Sequence, residues 1–234
     1  MAVVAFSTAT DVLAIGVAEN GQLLAESNLS GRLHSERLMR QIAHLLEISG
    51  LVPAQLDAVG VTNGPGSYTG IRIGIAAAQG LAYAVGCPAV GLSTLWAMAA
   101  SSQAEGLLLS AIDARRGNLF AALFQRTAGQ VIRLQEDTFL PASQLTAWLS
   151  NQTTSVWLIT PQREQVYPMV VQAVGETVAF DNAPSVLRGA TLALATEIAW
   201  QRGRSVAPHV LQPKYLRAVQ ALTLQEQRRK EVLP

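Results

Sequence analysis

The sequence predicts an α/β protein folded as two lobes. Three observations carry that expectation. Three short strand-like runs open the chain, helical and strand-like periods then alternate to about residue 103, and the remainder is less regular. The 234 residues suffice for one large domain or two small ones, and 50% are hydrophobic, ample for a core.

Each element has its own signal. Val3 to Phe6 and Leu13 to Ala18 are apolar and β-branched enough to read as strands. The Asn20-Gly21 turn then leads into a third strand, Gln22 to Ser27. A helix is expected from Ser35 to Ser49, where Leu38, Ile42, Leu45, Leu46 and Ser49 keep helical spacing and Gly50 supplies the stop. A strand at Ala58 to Thr62 feeds a small-residue helix from Thr69 to about Val85. Ala89 to Leu92 and Thr94 to Ser102 read as the next strand and helix. Leu107 to Ile112 and Leu119 to Gln125 form a hairpin around Ala114-Arg115-Arg116-Gly117-Asn118. Beyond it lie helical segments at Ser143 to Leu149 and Glu164 to Val174, a strand at Val156 to Ile159, and a helix from Gly189 to Arg202. The first lobe is placed at residues 1–103, the second at 104–188 and a tail at 203–234, with the 189–202 helix returning to the first lobe. Three strands, then alternating helix and strand, then a smaller second unit is the pattern of the actin, hexokinase and chaperone-ATPase superfamily. No internal repeat is evident in the residues themselves.

Composition excludes several classes. No apolar run is long and charge-free enough to cross a bilayer. The N-terminus has no basic leader before its first strand, so a cytoplasmic protein is expected. The one cysteine, Cys87, excludes an internal disulfide framework and a multi-cysteine metal site. The net charge of +1 gives no broad basic field for nucleic acid, and Arg228-Arg229-Lys230 reads as a solvated end.

The most informative stretch is Asn63-Gly64-Pro65-Gly66-Ser67-Tyr68-Thr69-Gly70-Ile71-Arg72-Ile73-Gly74. Strand, glycine-rich turn and helix N-terminus converge there, and unpaired backbone N–H groups with the helix dipole can hold an anion. Gly64, Gly66, Ser67, Thr69 and Gly70 are the candidates for a nucleotide or anion loop. The stretch lacks the Lys-Ser/Thr ending of a P-loop and the G-x-G-x-x-G spacing of a dinucleotide fold. The same residues equally describe a plain tight turn.

This stretch, continued by Ala78-Gln79-Gly80-Leu81-Ala82 and by Pro88-x-x-Gly91-x-Ser93-Thr94-Leu95, resembles the TsaB family. Further anchors are His34-Ser35-x-x-Leu38, Ala111-Ile112-Asp113-Ala114-Arg115-x-Gly117 and Pro213-x-Tyr215-Leu216-Arg217. They occur in order across nearly the whole chain. The resemblance implies the actin-like fold. It also implies a role in making N6-threonylcarbamoyladenosine next to the anticodon of tRNA, as a non-catalytic scaffold that dimerises with its catalytic paralogue TsaD. A homodimer through the same surface, and a third partner, the ATPase TsaE, are implied as well. ATP or ADP would belong to the complex, with no cofactor of this chain's own, and tRNA would be met mainly through the complex.

The residues agree with a silent site. Where the superfamily carries an aspartate on its first hairpin, this chain has Ser7, within Phe6-Ser7-Thr8-Ala9-Thr10, and a hydroxyl cannot replace a carboxylate toward a magnesium ion or as a base. Ser7, Thr8 and Thr10 read as turn residues that satisfy backbone groups, and Asp11 is placed on the wrong side of the turn. Thr94 and Met98 stand where TsaD has its metal-binding His-x-x-x-His, and His34, His44 and His209 are widely separated. No catalytic residue and no metal site are therefore assigned. Asp113, Arg115 and Arg116 either line a cleft or meet a partner, or else Asp113 ends a strand and pairs with an arginine across the hairpin. The resemblance assigns the partner interface to His34, Leu38, Met39 and Ile42 on the first helix and Arg72, Ile73 and Ala76 on the second. The Gly70, Gly74 and Ala78 face of that helix is expected mostly against the chain's own sheet. Two rivals are an independent ATP-dependent enzyme using Gly64 to Gly70, which Ser7 disfavours, and a stand-alone peptidase, which the missing histidine pair disfavours.

Overall fold

A computed structural model describes residues 1–31, 34–149, 155–175, 178–181 and 186–217. Among them are two five-stranded sheets with helices between and outside them. The first sheet holds β1 (Ala2–Ser7), β2 (Val12–Glu19), β3 (Gln22–Ser30), β4 (Leu56–Gly64) and β5 (Ala89–Ser93), in the order β3-β2-β1-β4-β5. β1 to β3 run antiparallel, and β1, β4 and β5 run parallel. The second sheet holds β6 (Gly106–Asp113), β7 (Asn118–Thr127), β8 (Gln130–Pro141), β9 (Val156–Ile159) and β10 (Val178–Phe180), in the order β10-β9-β6-β7-β8. Here too three strands run antiparallel from the centre and two run parallel on the other side. Each lobe thus repeats one topology that the residues themselves do not reveal.

β8 and β10 are absent from the sequence reading. β8 is twelve residues long, and exposed positions alternate with half-buried ones along its first half. Gln135-Glu136-Asp137 breaks its apolar pattern, so no clean period of two survives in the sequence.

Five layers follow. α1 (His34–Ile48) and α2 (Tyr68–Val85) cover one face of the first sheet, burying Leu38, Ile42, Leu45, Leu46, Ile71, Ile75 and Ala78 against Val4, Phe6, Ile15 and Val61. α3 (Thr94–Ser101) and α6 (Gly189–Gln201) fill the space between the sheets with Leu95, Met98, Leu192 and Ala193. α4 (Leu145–Trp148) and α5 (Arg163–Val174) cover the far face of the second sheet. Gly50 ends α1 with a φ of +70°, and Gly86 caps α2 in the left-handed region.

α6 lies directly on the backbone of the first sheet. A Cβ added at Gly16 would stand 2.1 Å from the Gly189 carbonyl oxygen, and one at Gly189 would stand 1.9 Å from that of Ile15. Only two glycines allow that approach. The strands also cap the helix. The Gly189 N–H donates to Asn28 Oδ1 at 2.9 Å, and the Ala190 N–H to Glu26 Oε2 at 2.9 Å, while Arg188 pairs with Glu26 Oε1 at 2.6 Å. These satisfy two of the N–H groups a helix start leaves open, and the carboxylate sits at the positive end of the dipole. Further along α6, buried Glu197 accepts from the Gly21 N–H with both oxygens, at 2.8 and 2.9 Å.

Polar contacts tie the lobes, among them Ser102 Oγ to Asp181 Oδ2 at 2.5 Å and Arg126 to the Ala100 carbonyl oxygen at 3.4 Å. The Ser93 hydroxyl, which caps α3, donates to Asp137 Oδ2 of β8 at 2.6 Å, and Arg133 pairs with the other oxygen.

Gly189→Val should destabilise the fold by about 1–3 kcal/mol or more, read as a lower urea midpoint. Partial burial pushes the Glu26 carboxyl up, but hydrogen bonds from Arg188, Ala190 and Asn28 outweigh it and hold it below its ordinary value. Its contribution is therefore present above the ordinary carboxylate pKa and is lost as the pH falls through the lowered one. The difference in melting temperature between wild type and Glu26→Gln should accordingly be largest near neutral pH and shrink under acid.

Candidate functional site

The cleft between the lobes has a volume of about 390 Å³. The β1–β2 turn (Ala9, Thr10, Asp11) and the loop before α2 (Gly66, Ser67, Tyr68) form one wall. The β6–β7 turn (Asp113, Ala114, Arg115) and Pro161-Gln162 form the other, with Ile112 and Phe120 also lining it.

The glycine loop is packed against its own chain. A Cβ at Gly66 would meet the Ala9 carbonyl oxygen at 2.4 Å, and one at Gly70 the Thr8 carbonyl oxygen at 2.0 Å. Three hydrogen bonds stitch the contact: Ser67 N–H to Ala9 O at 2.8 Å, Thr8 Oγ1 to Gly70 O at 2.7 Å, and Gly70 N–H to the capping Ser67 Oγ at 3.2 Å. Close approach of two turns of the same protein explains these glycines physically. Ser67 and Thr69 are exposed beside them, and Gly64 is buried. The small-residue face of α2 also turns inward: Gly70, Gly74 and Ala78 are buried against the sheet.

Ser7 is fully buried. Its oxygen accepts from the Thr62 hydroxyl at 2.6 Å and from the Ala9 N–H at 3.3 Å. It is a structural turn residue, while the carboxylate of this hairpin that lines the cleft is Asp11. That corrects the placement of Asp11, because the chain bends at residues 9–11 so that all three border the cleft. Thr94 and Met98 are fully buried in α3. Among the described residues, no three His, Cys, Asp or Glu side chains cluster as metal ligands would. Buried Cys87 belongs to the core under α2, and burial pushes its thiol pKa up.

The hairpin charges divide. Asp113 and Arg115 line the cleft, and Arg116 is not among its lining residues. Asp113 Oδ1 accepts from the Arg115 backbone N–H at 2.7 Å, so the carboxylate holds the turn through the main chain and not through a cross-hairpin ion pair. Arg115 and Arg116 both take positive φ, and the Asn118 amide bonds both of their carbonyls at 3.0 Å. Gln162 Oε1 accepts from the Asp113 N–H at 2.8 Å and ties the turn to the second wall.

Over the mouth of the glycine loop passes the C-terminal strap, which the motif Pro213-x-Tyr215-Leu216-Arg217 marks in the sequence. Val206 bridges to Ala89 at the free edge of β5, Leu211 is buried, and the Lys214 N–H donates to Asn63 O at 2.7 Å. Tyr215 then stacks on Tyr68, with ring centroids 5.4 Å apart. Arg72 lies 4.2 Å over Tyr68 and donates from Nε to the Tyr215 hydroxyl at 2.9 Å, a bond that raises the guanidinium pKa further.

The residues assigned to a partner surface separate. Leu38 and Ile42 are 1% and 2% exposed within the chain's own core and cannot touch another protein directly; helical periodicity points them at the sheet. Met39 is 48% exposed, Arg72 and Ala76 are exposed, and Ile73 is half-buried. The side chain of His34 lies outside the described residues, as does Arg228-Arg229-Lys230. The sequence reading missed Tyr83, exposed at 82% on α2, and the Tyr68–Tyr215 stack. A tyrosine on the polar side of a helical wheel was the available signal for the first. Nothing in the sequence signals the stack, which pairs residues far apart in the chain.

Comparison with known proteins identifies the family. The family model described as "TsaD: tRNA N6-adenosine threonylcarbamoyltransferase" matches residues 23–224. The Escherichia coli tRNA threonylcarbamoyladenosine biosynthesis protein TsaB is 28% identical over 220 residues, 93% of this chain and 95% of that one. The Bacillus subtilis protein of the same name is 32% identical over 139 residues, 58% of this chain and 61% of its own length. The solved structure of a Pseudomonas aeruginosa protein with similarity to peptidase YEAZ shares the fold, at a TM-score of 0.80 and 24% identity over 92% of this chain and 99% of that one. With its two-lobed α/β architecture and its likeness to the TsaB proteins, the chain belongs to the tRNA N6-adenosine threonylcarbamoyltransferase family, on its TsaB branch.

Proposed function

We propose that the chain serves tRNA threonylcarbamoyladenosine biosynthesis as a non-catalytic subunit, holding a TsaD-type transferase active by pairing with it through α1 and α2. The family supports the pathway. The outward face of the two helices supports the pairing, and it is the observation on which the reading rests. Both helices cover the same face of the first sheet, so their outer sides look away from the core. There α2 presents Ala76, Gly80 and Ala84 at four-residue steps, with Tyr83 beside them. A Cβ at Gly80 would meet nothing within 4 Å. On α1, Met39 and Ile48 are 48% and 60% exposed. Small residues admit a second helix at short range, and an aromatic and a methionine beside them suit an interface core. The same surface would hold two copies of the chain together when the partner is absent.

The interior supports a silent role for the site. Ser7 is committed to Thr62 and Ala9, and the two positions matching a metal-binding histidine pair are buried in α3. Nucleotide would then be handled by the partners, with a TsaE-type ATPase docking at the junction and tRNA held mainly by the complex.

Met39→Asp should leave the fold intact but weaken co-purification with the TsaD of the same organism by about 2–5 kcal/mol, since a buried carboxylate would lack a partner. Equal retention of wild type and variant would discard this surface, and failure of the wild type to bind would discard the scaffold. Ser7→Ala should do the reverse, costing about 1–3 kcal/mol of fold stability by leaving buried donors unpaired, with pairing unchanged.

A further inference from the structure

We propose that the strap and the start of α2 form a direct contact surface for an RNA strand, with Tyr68, Arg72, Lys214, Tyr215 and Arg217 as its residues. The inference rests on the proposed function for the identity of the RNA, the tRNA being modified, but its residues are read from the structure alone.

The charge argument is local. The chain's net charge of +1 describes the whole molecule and conceals a strongly uneven stretch. Between Glu197 and Glu226 the chain has no acidic residue. Lys214 and Arg217 in that stretch are exposed, and the strap carries them across the end of β4 to the second lobe, where Arg217 lies 5.5 Å over the Phe139 ring. Arg72 joins them from α2. Three cations therefore stand along one rim, and cations on a fixed backbone suit a phosphodiester chain. The strap's backbone is fixed by the Lys214 N–H bond to Asn63 O and by the Asn63 amide, which donates to Gln212 O at 3.2 Å.

The aromatic argument is independent. Tyr68 and Tyr215 are stacked, yet they stay 47% and 41% exposed. Two tyrosines left half in water beside cations make the kind of platform on which unpaired bases stack. The carboxylates near this rim, Asp11 and Asp113, line the cleft that Tyr68 borders. They would repel phosphates from the cleft and keep the strand on the rim.

The test measures fluorescence anisotropy of a labelled, unmodified tRNA anticodon stem-loop with the full chain, alone and paired with its transferase, across a salt series. Wild type should bind with a salt-dependent affinity. The double variant Lys214→Glu/Arg217→Glu should bind about tenfold or more weakly, with a salt slope shallower by about 1–2. Lys214→Arg/Arg217→Lys should bind as wild type, and Tyr215→Ala should weaken binding with little change in slope. The inference is overturned if the wild type does not bind at low salt, or if charge reversal leaves affinity and slope unchanged. It is also overturned if reversal breaks pairing with the transferase while RNA affinity persists, which would make the strap a protein interface. Pairing of the wild type is scored separately, so loss of this inference and loss of the scaffold reading give different results.

Discussion

The contact of α6 with the first sheet sets the geometry of the rest. Gly16 and Gly189 let helix backbone touch strand backbone, and no other residue fits between them. That approach fixes how deep α6 sits and therefore how far apart the sheets stand. Glu26 and Asn28 lock its first turn, and Glu197 locks its far half to the β2–β3 turn. A helix returning from the end of the chain is thus clamped by strands from its beginning. The contact closes a long loop of chain, whose entropic cost must be offset by dense packing in the central layer.

Once that layer is set, the cleft follows. The β1–β2 turn and the glycine loop form one wall because Gly66 and Gly70 press on Ala9 and Thr8. The β6–β7 turn forms the other because Asp113 and Asn118 hold two successive arginines at positive φ. The lobes carry the same strand order, so equivalent turns come to face one another across the gap. A cleft stands between the turns, while Ser7 on the first hairpin is buried among its neighbours. Outside the cleft, exposed side chains lie on the outer helix faces and on the strap.

These two surfaces differ in kind. The outer side of α1 and α2 sets Ala76, Gly80, Met39 and Ile48 among exposed Glu36, Arg37, Arg40 and Glu47. The strap rim is cationic and aromatic, and it reaches from the first lobe to Phe139 of the second. Under the proposed scaffold role, the helix face would meet a partner protein while the strap meets a polyanion.

The sequence by itself determined the class of fold, most of the helices and strands of the first lobe, and the family. Those rest on local periodicity, on Asn-Gly and Gly stops, and on motifs that need no partner to be read. It also singled out Ser7 on the first hairpin, whose setting against Thr62 and Ala9 only the fold supplied. Only the tertiary structure decided the direction of each face. Leu38 and Met39 are neighbours in the chain, yet one is core and the other surface, because the sheet lies on one side of α1. Edge strand β8 stayed illegible because its half-exposed face admits polar residues. The glycines of the loop read equally as anion cradle or turn until Thr8 and Ala9 were seen against them. The strap rim unites Tyr68 and Tyr215, which are far apart in sequence, and no local pattern encodes a contact that only folding creates.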